Sequence, residues 1–267
     1  DSECLVGSEM CIRDSHYTLF LNIAVSISAA CLTYAVCLHM AELLLHVSAV
    51  HEAGYICSML FIIPGFPFIT SGIDLAKLDL RSGLERLTYS IIIVLVATMF
   101  AWIMALLLKL QPQDFVALHL GSMMHLVLRL IASFCGVFGF SIMFNSSVYM
   151  AATAACIGAV ANTLRLELVD YTGMPSAAAA FIGALTAGLL ASIIKRNHGY
   201  PRISLTVPSI VIMVPGLYLY RAIYNFGIMS LTEAVLWFAA AIMIIVSLPL
   251  GLIFARILTD RTFRYCS

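Results

Sequence analysis

The sequence predicts an all-α polytopic membrane protein with eight transmembrane helices. Three observations carry that prediction. Of 267 residues, 62% are hydrophobic and 10% charged, with a mean hydropathy of +1.03. The apolar residues fall into eight runs of membrane length, and most charges collect at the ends of those runs. A soluble domain needs polar residues to cover its surface, and this composition cannot supply them, so the bilayer is the expected solvent. Formal net charge is zero, which leaves no basic face for nucleic acid. The eight cysteines show no CxxC spacing and mostly lie in apolar runs, where a thiol behaves as a small hydrophobe.

Residues 1–15, "DSECLVGSEMCIRDS", are polar and lack the apolar stretch and small-residue cleavage site of a signal peptide. Glu9 to Ser15 resembles the translated mosaic-end adapter of transposon-made sequencing libraries, so the native chain is expected to start near His16. The remainder is expected to divide into a first membrane unit over 16–110 and a second over 111–267.

A span needs roughly 20 apolar residues at ~1.5 Å each to cross ~30 Å of hydrocarbon. By that measure the spans are 18–38, 52–71, 88–108, 126–144, 148–164, 176–194, 204–223 and 235–255. The fourth and fifth are joined only by "NSS", the mark of a tight helical hairpin. The sixth, alanine-rich, has the small residues that let helices approach closely, which places it in the bundle interior. Loops after even-numbered spans, with the tail, carry nine Lys or Arg against four on the other side. Lys and Arg are retained in the cytoplasm, so the C-terminus is expected there.

The second and seventh spans are interrupted in the same way. Ser58, five apolar residues and Pro64-Gly65 superpose on Ser209, five apolar residues and Pro215-Gly216 at an offset of 151. Five span positions separate them, and an odd shift makes the copies cross in opposite senses, the inverted-repeat architecture of secondary transporters. Each break lies about 16 to 18 Å into its span, near the midplane. Proline removes a donor, glycine permits an unwound backbone, and the freed groups need a neighbouring helix, a cavity or a ligand. A simple kink accommodated by neighbouring helices is the alternative. The new helix N-terminus suits a carboxylate and the preceding carbonyls suit a cation, so a small carboxylate-bearing solute fits such a site.

These residues also carry a family resemblance. "IIPGFPFITSGIDLAKLDLRSGLERL" and "VPSIVIMVPGLYLYRAI" resemble the paired signatures of threonine/serine exporter proteins. The resemblance implies ten spans in two five-helix halves, often after a soluble cytoplasmic domain. On that reading this chain holds three helices of the first half and all five of the second, and its partners include the missing N-terminal helices or a partner subunit. It further implies export of threonine and serine driven by the proton motive force, with dicarboxylate (succinate-type) export in two-subunit relatives, in the bacterial inner (plasma) membrane. Pro64, Gly65, Pro67 and Asp74 carry over from the first signature, and Pro215, Gly216, Tyr220 and Arg221 from the second. Where the family often has Asn after the Pro-Gly, this chain has Thr70 and Ser71, which can still donate and accept.

The candidate substrate-binding residues are therefore Pro64, Gly65, Thr70, Ser71, Pro215, Gly216 and Arg221, with Asp74 as the proton-coupling group. Asp74 has an alternative reading as an interfacial charge beside Lys77 and Asp79. Arg221 can clamp a carboxylate or snorkel to headgroups. His39, Glu42 and His46 recur on one helical face, with His51 and Glu52 nearby, yet lack a motif of fixed geometry and read as a wet interfacial loop; no metal or cofactor is expected. Asn162, Arg165, Glu167 and Asp170 read as an exposed turn after the fifth span. No HExxH, GxSxG or paired intramembrane aspartates support an enzyme. A passive channel or scaffold subunit is the remaining class, although a channel needs a continuous polar lining that scattered Ser, Thr and Asn do not form.

Overall fold

Backbone amides and carbonyls inside hydrocarbon must be satisfied within the chain, and the described residues achieve this with helices. The computed structural model describes residues 18–45, 53–108, 121–198 and 200–260. Ten α-helices occur among them: α1 (Leu19–Leu45), α2 (Ala53–Met59), α3 (Gly65–Ala76), α4 (Leu80–Leu107), α5 (Ser122–Met143), α6 (Val148–Thr172), α7 (Ser176–His198), α8 (Arg202–Val211), α9 (Gly216–Gly227) and α10 (Leu231–Thr259). A 3₁₀ turn, Leu60–Ile62, follows α2.

Six of these helices are long and apolar enough to cross a membrane, and α8 with α9, bent by 42° at their break, make a seventh span if counted together. The expected second span is not a continuous helix. Seven residues of α2, the 3₁₀ turn and twelve residues of α3 replace it.

Boundaries moved where local chemistry extended a helix past its apolar run. α4 begins eight residues early because the Asp79 carboxylate caps it, accepting from the Ser82 amide at 3.4 Å. α6 continues two turns past residue 164 and stops only at Gly173, whose φ of 65° gives the left-handed C-terminal turn. Asn162, Arg165, Glu167 and Asp170 therefore lie on a helix, which corrects the exposed turn expected for them. Arg129 of α5 holds the extension, bonding Glu167 at 2.9 Å and also Asp170. His39 and Glu42 likewise sit on α1, 3.6 Å apart, and not in a loop; His46, His51 and Glu52 lie outside the described residues. The short connector after α5 turns at Asn145, φ 56°, as a tight hairpin does.

Three cores result. One gathers α5 to α8 and α10 around Val137, Ile157, Leu205, Ile210 and Leu248; a second gathers α1, α2 and α4 around Ile23, Ile27, Tyr55, Ile93 and Ala101; a smaller third joins Ile63, Phe68, Val94, Leu219 and Ala241. The alanine stripe of α7, from Ala179 to Ala191, is fully buried, as expected for the interior helix. It faces α10 so closely that a Cβ on Gly188 would come within 2.5 Å of the Ala255 methyl.

The halves exchange segments. Ile69 and Phe66 of α3 pack into the core built mainly by α5 to α8 and α10, while Tyr220 and Leu217 of α9 pack into the core built by α1, α2 and α4. Tyr220 sits edge-on to Tyr55, whose hydroxyl donates to the Ala101 carbonyl at 2.7 Å.

Candidate functional site

The two Pro-Gly breaks adopt the same backbone geometry. Pro64 has φ −75° and ψ 70°, and Pro215 has φ −81° and ψ 51°. In each, the glycine amide donates to the carbonyl two residues back, Gly65 to Ile63 at 2.7 Å and Gly216 to Val214 at 2.9 Å. These are inverse γ-turns centred on proline, whose fixed φ is near the value such a turn requires. A helix restarts at once, with Phe68 donating to the Pro64 carbonyl and Leu219 to that of Pro215.

The equivalence runs on in register. α3 and α9 each have twelve residues, and each ends on a left-handed residue, Leu78 at φ 64° and Met229 at φ 61°. Asp79 bonds back to the Asp74 carbonyl and Ser230 to that of Asn225, and these two residues cap α4 and α10. Every pair keeps the 151-residue offset visible in the sequence.

The breaks also meet. A Cβ placed on Gly65 would lie 3.2 Å from Val211 Cγ1 and 3.3 Å from Val214 Cγ2, so glycine is what lets the start of α3 touch the turn preceding Pro215. Gly65 of the first break thus lies against the residues that lead into Pro215 of the second. The first-turn amides of α9, at Leu217 and Tyr218, have no backbone acceptor among the described residues.

The remaining candidates are placed differently. Thr70 and Ser71 are buried on α3, but their hydroxyls donate to their own helix, Thr70 to the Phe66 carbonyl at 3.1 Å and Ser71 to that of Phe68 at 2.9 Å. Their lone pairs remain for a donor. Asp74 sits at the end of α3 and accepts from Arg86 Nη1 of α4 at 2.9 Å, pinning the two helices together. Arg221 lies against Trp237 of α10, its guanidinium carbon 4.7 Å from the ring centroid, and Tyr218 meets the same ring edge-on at 5.3 Å.

Sequence reasoning missed Arg165. Its Nε is buried with no hydrogen-bond partner, and its Nη1 donates to Asn162 Oδ1 at 3.4 Å. Asn162 in turn donates to Ser133 Oγ of α5 at 2.9 Å. The Asn162-x-x-Arg165 spacing, followed by Gly173 as a stop, was the available signal that this stretch is helical.

A cleft of about 780 Å³ opens between α3, α4, α9 and α10, lined by residues such as Phe68, Val94, Leu219, Ile245 and Pro249. Ser71 is the sole hydroxyl residue of that lining, which makes the cleft suited to acyl chains and unsuited to a zwitterion.

Two family models match the chain. Residues 129–258 match one described as "Threonine/Serine exporter, ThrE", and residues 5–109 match one described as "Putative threonine/serine exporter". The second match begins at Leu5, ahead of His16. No curated protein and no solved structure matches.

Proposed function

The chain belongs to the threonine/serine exporter family, and on that premise we propose that it is a secondary active transporter exporting threonine and serine across a bacterial inner membrane. The observation that carries this reading is the contact between two matched γ-turn breaks, Gly65 against Val211 and Val214. A small zwitterion needs both a positive and a negative end at the membrane midplane, and two interrupted helices supply partial charges of both signs there. Pro64 and Gly65, Pro215 and Gly216 bind the solute through main-chain groups, and Thr70 offers a hydroxyl lone pair to its ammonium.

In this account the chain has eight spans, with α2 and α3 forming one and α8 and α9 another, arranged as inverted repeats with the C-terminus in the cytoplasm. First-half helices, present upstream or supplied by a partner subunit, complete the bundle. Coupling to the proton motive force runs through Asp74. Protonation would remove the negative partner of Arg86, loosen the corner between α3 and α4 and let the first break tilt.

Radiolabelled threonine, serine and succinate counterflow in proteoliposomes tests the proposal. Accelerated exchange of threonine or serine, lost in Pro64→Ala and Pro215→Ala, is expected. Exchange of succinate alone would reassign the substrate, equal leak of all three would indicate a channel, and no movement would indicate a scaffold.

A further inference from the structure

A guanidinium inside a bilayer is costly without a counter-charge, and the two acids nearest Arg165 in sequence are taken. Glu167 and Asp170 both pair with Arg129 of α5. Arg165 has five N–H donors, and among the described residues only one makes a hydrogen bond, a long one to an amide oxygen. Asn162 is held by Ser133, so its oxygen is turned toward Arg165 and fixes the guanidinium in place.

This arginine stands beside the second break. A Cβ on Gly183 of α7 would touch both Arg165 Cβ and Met213 Sδ, each at 3.2 Å, and Met213 is the second residue before Pro215. Tyr218, on the first turn of α9, packs against the same core cluster as Met213. An under-bonded guanidinium with a buried Nε therefore sits on a residue packed beside the segment that leads into the second break.

We propose that Arg165, positioned by Asn162 and Ser133, is the anchor for the carboxylate of the transported solute. This rests on the reading that the solute passes the two breaks. It also moves the carboxylate clamp from Arg221, which lies against Trp237, to a residue that pairs with no acid among the described residues. The Arg165 fork can take a carboxylate in bidentate fashion.

The test uses the full chain in lipid nanodiscs, with threonine and threoninol as probes; threoninol has CH2OH in place of the carboxylate. The wild-type protein is expected to bind threonine about tenfold or more tighter than threoninol, the scale of a charge-assisted pair. Arg165→Gln should abolish that preference and Arg165→Lys should keep part of it, since the charge stays and the fork is lost. Phenylglyoxal labelling of wild-type Arg165, followed by mass spectrometry, needs no variant. Threonine should slow it severalfold and threoninol should not.

Equal binding of the two probes, a retained preference in Arg165→Gln, or labelling unaffected by every carboxylate overturns the anchor. If acetate or succinate slows labelling while no amino acid does, the anchor stands and the threonine/serine assignment falls. Threonine exchange with labelling unchanged gives the reverse.

Discussion

At Gly65 a single added methyl group would crowd the contact between the two breaks. The space above it is bounded at 3.2 and 3.3 Å by the methyls of Val211 and Val214, closer than carbon atoms pack comfortably. Gly65→Ala should therefore destabilise by about 1 to 3 kcal/mol through overpacking. Adding Val211→Ala should recover most of that, a coupling that a thermal-unfolding double-mutant cycle would read. Leu78 offers the opposite case. It is 81% exposed and held at φ 64°, so its side chain gains little to offset a left-handed backbone that costs about 1 to 2 kcal/mol for an L-residue. Leu78→Gly should raise stability by up to ~1 kcal/mol, with Met229→Gly as its counterpart. For Asp74 the expected outcome is functional. Asp74→Asn keeps the shape, removes the charge that Arg86 holds, and should abolish the pH-gradient dependence of threonine efflux while leaving counterflow measurable.

At the scale of elements, the breaks themselves were legible in the sequence because proline and glycine act locally. Proline fixes φ wherever it stands, so Pro64-Gly65 and Pro215-Gly216 announced the interruption of two helices before any packing was known. Their inverse γ-turn form was not legible, since it depends on how the preceding turn tightens. The length of α6 was hidden for a different reason. Arg165, Glu167 and Asp170 look like a membrane-edge cluster, and only Arg129, 38 residues from Glu167 and on another helix, neutralises two of them. No local pattern contains that partner. The element-scale prediction separates a site from a kink. Pro64→Ala and Pro215→Ala each restore a backbone donor and remove an unfavourable residue, so helices should form through the breaks with stability unchanged or improved. Threonine exchange should nevertheless fall at least tenfold, measured with reconstituted protein at matched unfolding temperature. A simple kink would leave exchange near wild type.

At the scale of the molecule, the exchange of α3 and α9 between cores ties the two breaks into one unit. Ile69 is buried among second-half residues and Tyr220 among first-half residues. Phe68 of α3 and Leu219 of α9 meet in the third core, so a tilt of either broken segment disturbs the packing of the other. The fold class and the 151-residue repeat were readable from composition and spacing, because both reflect period and length. The crossing of the repeats was not, because it is a long-range choice made by small contacts such as Gly65 against Val211 and Gly72 against Pro249.

Cross-linking between Gly65→Cys and Val214→Cys, in a background without the native cysteines, tests the meeting of the breaks most directly. A cysteine Cβ at position 65 would lie 3.3 Å from the present Val214 Cγ2, a position a cysteine sulfur at 214 can take, close to the ~3 Å that separates Cβ from the partner sulfur in a disulfide. Oxidation is expected to form the bridge readily and to stop threonine exchange until it is reduced. Failure to cross-link, or full exchange by the bridged protein, would contradict a shared site at the two breaks.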